Sequence, residues 1–138
     1  MADLKAVRQS FGRATLSGAL LSRFYDIFLA ADPEIAKYFA NTDMTTQQQM
    51  LRQSLSYCLM RAEGSDFARL AVDRVRDSHS QARLNIPPRL YKVWKTALLA
   101  ALAECDPKFD DRLAADWEEI LTELCEHVAS GYTRIPMT

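Results

Sequence analysis

The histidine at position 79 lies on the apolar face of a segment with helical periodicity. Val72, Val75 and His79 follow one another at spacings of three and four residues, which aligns their side chains along one stripe of a helix. A neutral imidazole on such a stripe can bind a metal ion, and iron is a metal that it suits. It can equally be a core histidine whose ring nitrogens are hydrogen-bonded. The spacing alone leaves both interpretations open.

Two glutamines interrupt the apolar stripe of an earlier segment. Gln47 lies three residues after Met44 and four before Leu51. Gln48 has the reverse spacing from the same two residues. At least one amide therefore points the same way as its apolar neighbours, and a buried amide needs hydrogen-bonding partners. The pattern fits either a polar side chain in a cavity or two glutamines at a solvated rim.

An aromatic cluster occupies the segment from Phe24 to Leu29. Such a cluster is typical of a hydrophobic core, and Phe28 fits that role. Tyr25 differs because it carries a hydroxyl that can reach into a cavity while its ring stays packed. One imidazole, one amide and one phenol are thus the polar groups expected inside this domain. Periodicity does not identify a cofactor for them.

The composition places the chain among ordinary globular proteins of one domain. It has 138 residues, 49% of them hydrophobic and 25% charged, with a net charge of −1. This charge provides no general attraction to nucleic acid or to an anionic membrane, so neither partner is expected. The three cysteines form no C-x-x-C pair, and no segment has the apolar length of a signal peptide or a membrane span. We therefore expect a single domain over residues 1–138, located in the cytoplasm, with reduced thiols.

Helical periodicity runs through the whole chain, which contains only 4 Gly and 5 Pro. Asp32-Pro33-Glu34 is a strong helix start, because a capping residue is followed by proline where its missing N–H costs nothing. The same reasoning predicts seven helices joined by tight turns, at about 3–12, 15–31, 33–39, 42–63, 66–80, 87–104 and 110–132. The fifth of them is expected to end between Ser80 and Arg83. The sequence therefore predicts an all-α fold.

Three blocks of the sequence resemble the globin family in its bacterial single-domain form, over about residues 10–132. They are FYDIFLAADPEIAKYF, TDMTTQQQMLRQSL and VRDSHSQARLNIPPRLYKVW. The resemblance implies a globin fold, a three-over-three helical sandwich around one b-type haem. In this pattern His79 matches the proximal histidine that binds the iron. Pro33 opens the short third helix, and Phe39 matches the phenylalanine that stacks on the haem.

The resemblance also implies a distal side, where the gas ligand is held, formed by Tyr25, Phe28 and a glutamine. Globins place the distal polar residue one turn before a large apolar residue that faces the ligand. Gln47 satisfies this because Leu51 follows it by one turn, whereas Gln48 would be followed by the charged Arg52. Gln47 is favoured on this ground, and Gln48 stays the alternative.

The remaining haem contacts implied by the resemblance come from several helices. They are Phe39, Met44, Leu51, Val75, Ser78, Arg83, Ile86, Tyr91, Trp94 and Val128. Ser78 and the carbonyl near Val75 are expected to accept the second N–H of the proximal imidazole. Arg83 either pairs with a haem propionate or is a solvated surface residue. Tyr132 stands where flavohaemoglobins carry a glutamate, which argues against their peroxidase-like chemistry.

Three functions are compatible with this resemblance. The first is reversible binding of O2, NO or CO for storage, delivery or sensing, which makes the protein more a gas binder than an enzyme. The second is NO dioxygenation or peroxidase-like catalysis with a separate reductase. The third is a haem-free signalling module, although such relatives usually lose the histidine found at position 79. Helices 88–104 and 110–132 can form a homodimer face, and a sensor would need a signalling partner protein.

Overall fold

The computed structural model describes residues 1–133, and this part of the chain forms seven α-helices and no strand. The prediction of an all-α fold is confirmed. The helices are α1 (Leu4–Leu16), α2 (Leu20–Ala31), α3 (Pro33–Tyr38), α4 (Met44–Ala62), α5 (Asp66–Ser78), α6 (Arg89–Cys105) and α7 (Asp111–Ala129). Within residues 1–133, none of these helices combines the length and the hydropathy needed to cross a bilayer.

Five of the seven helices begin at a side chain that accepts a hydrogen bond from the first helical turn. These capping residues are Asp3, Asp32, Asp43, Ser65 and Asp110. Each supplies an oxygen to a backbone N–H that has no partner inside the helix. Because this contact joins residues two or three apart, these five helix starts can be predicted from local sequence.

The helix ends depart from the sequence-based expectation, most clearly at Gly12. We expected the first helix to end there, but α1 continues to Leu16. A glycine inside a helix costs only about 1 kcal/mol, and α1 buries Val7, Phe11 and Ala14 on one face. The chain instead turns at Gly18, whose φ of 75° lies in the left-handed region open to glycine. Burial of the apolar face therefore outweighs the helix-breaking tendency of Gly12.

Two later helices also end earlier than expected. α5 ends at Ser78, so His79 is its C-cap residue and does not lie inside the helix. α7 ends at Ala129, and Tyr132 lies in the turn that follows it. Both of these positions bear on the candidate site.

The helices pack in two layers, one formed by α1, α4 and α5 and the other by α2, α6 and α7. Within these layers, α2 packs most extensively on α6, α4 on α5, and α6 on α7. The largest fully buried side chains lie in this core: Trp117, Phe24, Leu20, Ile35, Leu98, Leu102 and Leu121. This arrangement is consistent with the three-over-three sandwich that the resemblance implies.

A buried carboxylate, Asp106, ties three helices together at one end of the core. It accepts hydrogen bonds from Ser10 Oγ at 2.6 Å and from Arg13 Nε at 2.7 Å. Ser10 Oγ in turn accepts the indole N–H of Trp117 at 3.0 Å. Burial alone would raise the pKa of Asp106, but the hydrogen bonds from Arg13 and Ser10 outweigh it and hold that pKa below the ordinary value.

We expect Asp106→Asn to lower the free energy of unfolding by about 2–4 kcal/mol, because Arg13 and Ser10 then lose a buried anionic partner. Urea denaturation measures this loss. The pKa of Asp106 is lower in the folded protein than in the unfolded chain, so its contribution to stability is complete above a pH of about 3.8. That contribution is lost as the pH falls further, through the lower pKa of the folded state.

Glu104→Gln is the matched control, since its ion pair with Arg23 at 2.6 Å is about half exposed on both sides. Exposed ion pairs contribute little to stability, so the urea concentration at the midpoint of unfolding should barely change. Equal effects of the two substitutions would contradict the role given to Asp106.

Candidate functional site

The imidazole of His79 is fixed by the last turn of α5. Its Nδ1 lies 2.8 Å from the carbonyl oxygen of Val75 and 3.0 Å from Ser78 Oγ. Ser78 Oγ itself donates to the Val75 carbonyl at 2.9 Å. Because a carbonyl oxygen only accepts, Nδ1 carries the ring proton and Nε2 carries the lone pair. Among residues 1–133 no group hydrogen-bonds Nε2, which leaves that lone pair available.

The protonation state of His79 suits a ligand role. Burial lowers the pKa of His79 below its ordinary value, and the hydrogen bond to Val75 only partly opposes this. The ring is therefore neutral at neutral pH. A neutral imidazole is the form that binds a metal ion.

Tyr25 and Gln47 meet on α2 and α4, far apart in sequence but close in space. Gln47 Nε2 donates to the hydroxyl oxygen of Tyr25 at 3.1 Å. Tyr25 therefore accepts from the amide and keeps its own O–H proton for another acceptor. The structure thus places Gln47 against this hydroxyl, while the half-buried Gln48 forms no such contact.

The Tyr25 phenol stays protonated in this environment. Burial raises the pKa of Tyr25, and the hydrogen bond from Gln47 lowers it by a smaller amount. Phe39 packs edge-on against the Tyr25 ring at 5.7 Å and lies 6.3 Å from Phe28. The hydroxyl is thus a neutral donor on a ring that packs against other aromatic rings.

Most of the apolar side chains expected to contact a haem are only half-buried. Six of them pack against the main core without being enclosed by it: Phe39, Met44, Leu51, Ile86, Tyr91 and Trp94. Val75 is half-buried as well. Such side chains in a well-packed domain are usually fully buried. We call these side chains the half-buried apolar wall. Together with the free lone pair of His79 Nε2, this wall fits a large apolar prosthetic group whose metal ion takes a ligand from the protein.

The other expected site residues take varied positions. Val128 is buried on the inner face of α7. The ring of Tyr91 lies 6.4 Å from that of His79. Arg83 is exposed and forms no ion pair with a described residue. Two surface depressions lie away from His79, one beside Tyr38 and the other between α2 and α6.

Sequence reasoning missed the residues that surround the loop after His79. Tyr38 donates its hydroxyl proton to the backbone oxygen of Asn85 at 2.6 Å. Tyr132 was expected inside the last helix but lies after it, and its hydroxyl donates to Asn85 Oδ1 at 2.7 Å. Asn85 has a φ of 55°, in the left-handed region. A single Asn in a polar loop is a weak sequence signal for that conformation, and nothing local identifies tyrosine partners 47 residues away.

Comparison with known proteins assigns the class of this fold. The globin family model matches residues 22–128, and the chain belongs to the globin family. The prediction of a bacterial single-domain globin is thereby confirmed, with a globin fold.

A solved structure from Pseudomonas aeruginosa PAO1 is similar over nearly the whole chain. It is described as a protein structurally highly homologous to a human haemoglobin. The two share 35% sequence identity with a TM-score of 0.89, over 94% of this chain and 98% of that one. No protein among those with curated descriptions matches this chain.

The hydrogen bond between Gln47 and Tyr25 predicts a shift in tyrosine titration. Gln47→Leu removes the contact that lowers the pKa of Tyr25, so that pKa should rise further and tyrosinate should form at higher pH. Ultraviolet difference absorbance, with Tyr25→Phe as the reference that lacks this phenol, measures the change. Gln48→Leu is the control and should titrate like the wild type. A Gln47→Leu curve that coincides with the wild type would contradict the contact.

Proposed function

We propose that this globin binds haem and reversibly binds a diatomic gas, with O2 as the best-fitting ligand. Membership of the globin family supports haem binding in general terms. The observation that carries the proposal is the combination of an available Nε2 on His79 with a protonated Tyr25 hydroxyl in an apolar setting. When bound, the haem supplies an iron atom at which a diatomic gas is held.

His79 is proposed as the protein's ligand to the iron. Val75 and Ser78 hold its Nδ1, which fixes the rotation of the ring and the tautomer that presents Nε2. Hydrogen bonds of this kind also increase the basicity of the ligating nitrogen. The helix end therefore sets both the direction and the strength of the bond that His79 offers.

The half-buried apolar wall is proposed to bury the porphyrin and exclude water. Its members are Phe39, Met44, Leu51, Val75, Ile86, Tyr91 and Trp94, with Val128 behind them. Transfer of this surface from water contributes roughly 25 cal/mol per Å². Arg83, which is exposed, is proposed to pair with a propionate at the edge of the haem.

Tyr25 and Gln47 are proposed to select the gas. Gln47 orients the phenol by donating to its oxygen, so the O–H proton of Tyr25 points to a different acceptor. This donor favours a ligand that accepts hydrogen bonds, such as O2, over one that accepts them poorly, such as CO. In a dry pocket one such bond contributes on the order of 1 kcal/mol. Because the pKa of Tyr25 is raised, the donor persists across the neutral pH range.

We expect His79→Gly to abolish stable haem binding, because no other side chain offers an imidazole at that position. Loss of the Soret band after gel filtration of the reconstituted protein measures this. Added free imidazole should restore part of the band by filling the vacated space. His127→Gln is the control, since His127 Nε2 lies against Asp73 at 2.7 Å. An unaltered Soret band in His79→Gly would contradict the assignment.

We expect Tyr25→Phe to accelerate O2 release about ten-fold, the equivalent of roughly 1.4 kcal/mol, with a smaller effect on CO release. Stopped-flow measurement on the ferrous protein tests both rates. Tyr57→Phe removes a hydroxyl on α4 that contacts Gln53, and it should leave both rates unchanged. Equal O2 release from wild type and Tyr25→Phe would remove this phenol from the mechanism.

A further inference from the structure

Three large apolar side chains on α4 and α5 are left in contact with solvent. Phe67 is 66% exposed, Leu70 is 59% exposed and Met50 is 57% exposed. Single exposed apolar residues are common on protein surfaces, whereas a group of neighbouring ones usually marks a contact with another molecule. α6 and α7, which the sequence allowed as a homodimer face, carry no large apolar side chain exposed to this degree within their described ranges.

These side chains follow the line along which α4 and α5 pack against each other. The ring of Tyr57, on α4, packs edge-on against the ring of Phe67, with centroids 5.9 Å apart. Leu70 lies one turn after Phe67 on the same side of α5, and Met50 lies two turns before Tyr57 on the same side of α4. We call Met50, Tyr57, Phe67 and Leu70 the α4–α5 patch.

The charged residues of α5 are arranged symmetrically about Leu70. Asp66 lies four residues before Leu70 and Arg74 four residues after it, so the three exposed side chains form one stripe along the helix. The Asp66 side chain is 88% exposed, and its ion pair with Arg69 is long at 3.5 Å. Arg74 forms no ion pair with any other residue in the described part of the chain. Both ends of the stripe can therefore take a charged partner from outside.

A twofold axis through Leu70 makes this stripe complementary to itself. In two antiparallel copies of α5 related by such an axis, Asp66 of each copy faces Arg74 of the other. The same axis brings the two Leu70 side chains together, with Phe67 beside them. A parallel arrangement would place Asp66 against Asp66 and Arg74 against Arg74, which like-charge repulsion disfavours. The charge pattern therefore selects one symmetric arrangement.

The size of this face indicates a weak association. A helix rises about 1.5 Å per residue and is about 10 Å wide, so α4 and α5 side by side offer a face of roughly 500 Å² per copy. Stable complexes bury about 800 Å² per partner, and smaller interfaces are typical of transient contacts. A dimer built on the α4–α5 patch should therefore form at high protein concentration and dissociate on dilution.

We propose that this protein forms a symmetric homodimer through the α4–α5 patch, with Leu70 on the twofold axis and reciprocal Asp66–Arg74 ion pairs on either side of it. The occupant of the patch is a second copy of this chain. None of the residues involved belongs to the proposed haem contacts, so this interface stands independently of the proposed function.

Sedimentation equilibrium of the haem-loaded chain, from about 1 µM to about 1 mM, measures the association. We expect monomer at the lowest concentrations and dimer at the highest. Leu70→Glu places two carboxylates on the axis and should raise the dissociation constant at least about ten-fold. Leu16→Glu is the matched control, because Leu16 is 87% exposed on α1 and its substitution should leave the association unchanged.

A charge exchange tests the symmetric arrangement itself. Asp66→Arg alone and Arg74→Asp alone each bring like charges together across the axis, and each should raise the dissociation constant several-fold. The double variant restores opposite charges and should recover the wild-type value. Circular dichroism of each variant checks that the helices are retained. Recovery in the double variant distinguishes an ion pair between copies from a general effect of either substitution on α5.

A wild-type chain that stays monomeric up to about 1 mM would overturn the proposal and assign the α4–α5 patch to a different partner. A dimer whose dissociation constant is unaltered by Leu70→Glu would place the interface elsewhere and would also overturn it. If the double variant associated no better than the single ones, the twofold arrangement about Leu70 would be wrong. Because sedimentation can be repeated on the chain without haem, failure of haem binding is a separate result.

Discussion

The hydrogen bond from His79 Nδ1 to the Val75 carbonyl is the constraint on which the site depends. The same carbonyl also accepts the backbone N–H of His79 at 3.1 Å and the hydroxyl of Ser78 at 2.9 Å. One helix-end oxygen thus fixes the backbone, the ring and its tautomer together. The last residue of α5 is Ser78, so this oxygen and the imidazole that it holds both lie at the C-terminal end of the helix.

The two sides of the proposed pocket are built on different physical principles. On the His79 side, backbone groups hold the ring, so its geometry follows from the fold. On the opposite side a single contact between side chains, Gln47 to Tyr25, orients the only hydroxyl in the aromatic cluster. Contacts to backbone groups persist when side chains are substituted, whereas one substitution is enough to change a contact between two side chains. The proposed ligand selection would therefore depend on the side that is easier to change.

The fully packed core and the proposed site occupy different parts of the molecule. Trp117 and Phe24 are fully buried, and Asp106 closes the end of the core with a complete set of hydrogen bonds. The wall that includes Phe39 and Trp94 stays half-buried. Incomplete packing costs dispersion energy and apolar burial, which a well-formed core elsewhere offsets. Sites of this kind are where local consistency is relaxed for a ligand.

The sequence by itself determined the all-α class and the five capped helix starts, whereas α2, expected from about residue 15, begins at Leu20. These features depend on contacts a few residues apart, such as Asp32 capping α3. Tertiary structure alone decided that α1 runs through Gly12, because burial on neighbouring helices outweighs a local propensity. It also decided that Gln47 meets Tyr25 across 22 positions. Such contacts depend on how helices pack against one another, and periodicity within one helix carries no information about that packing.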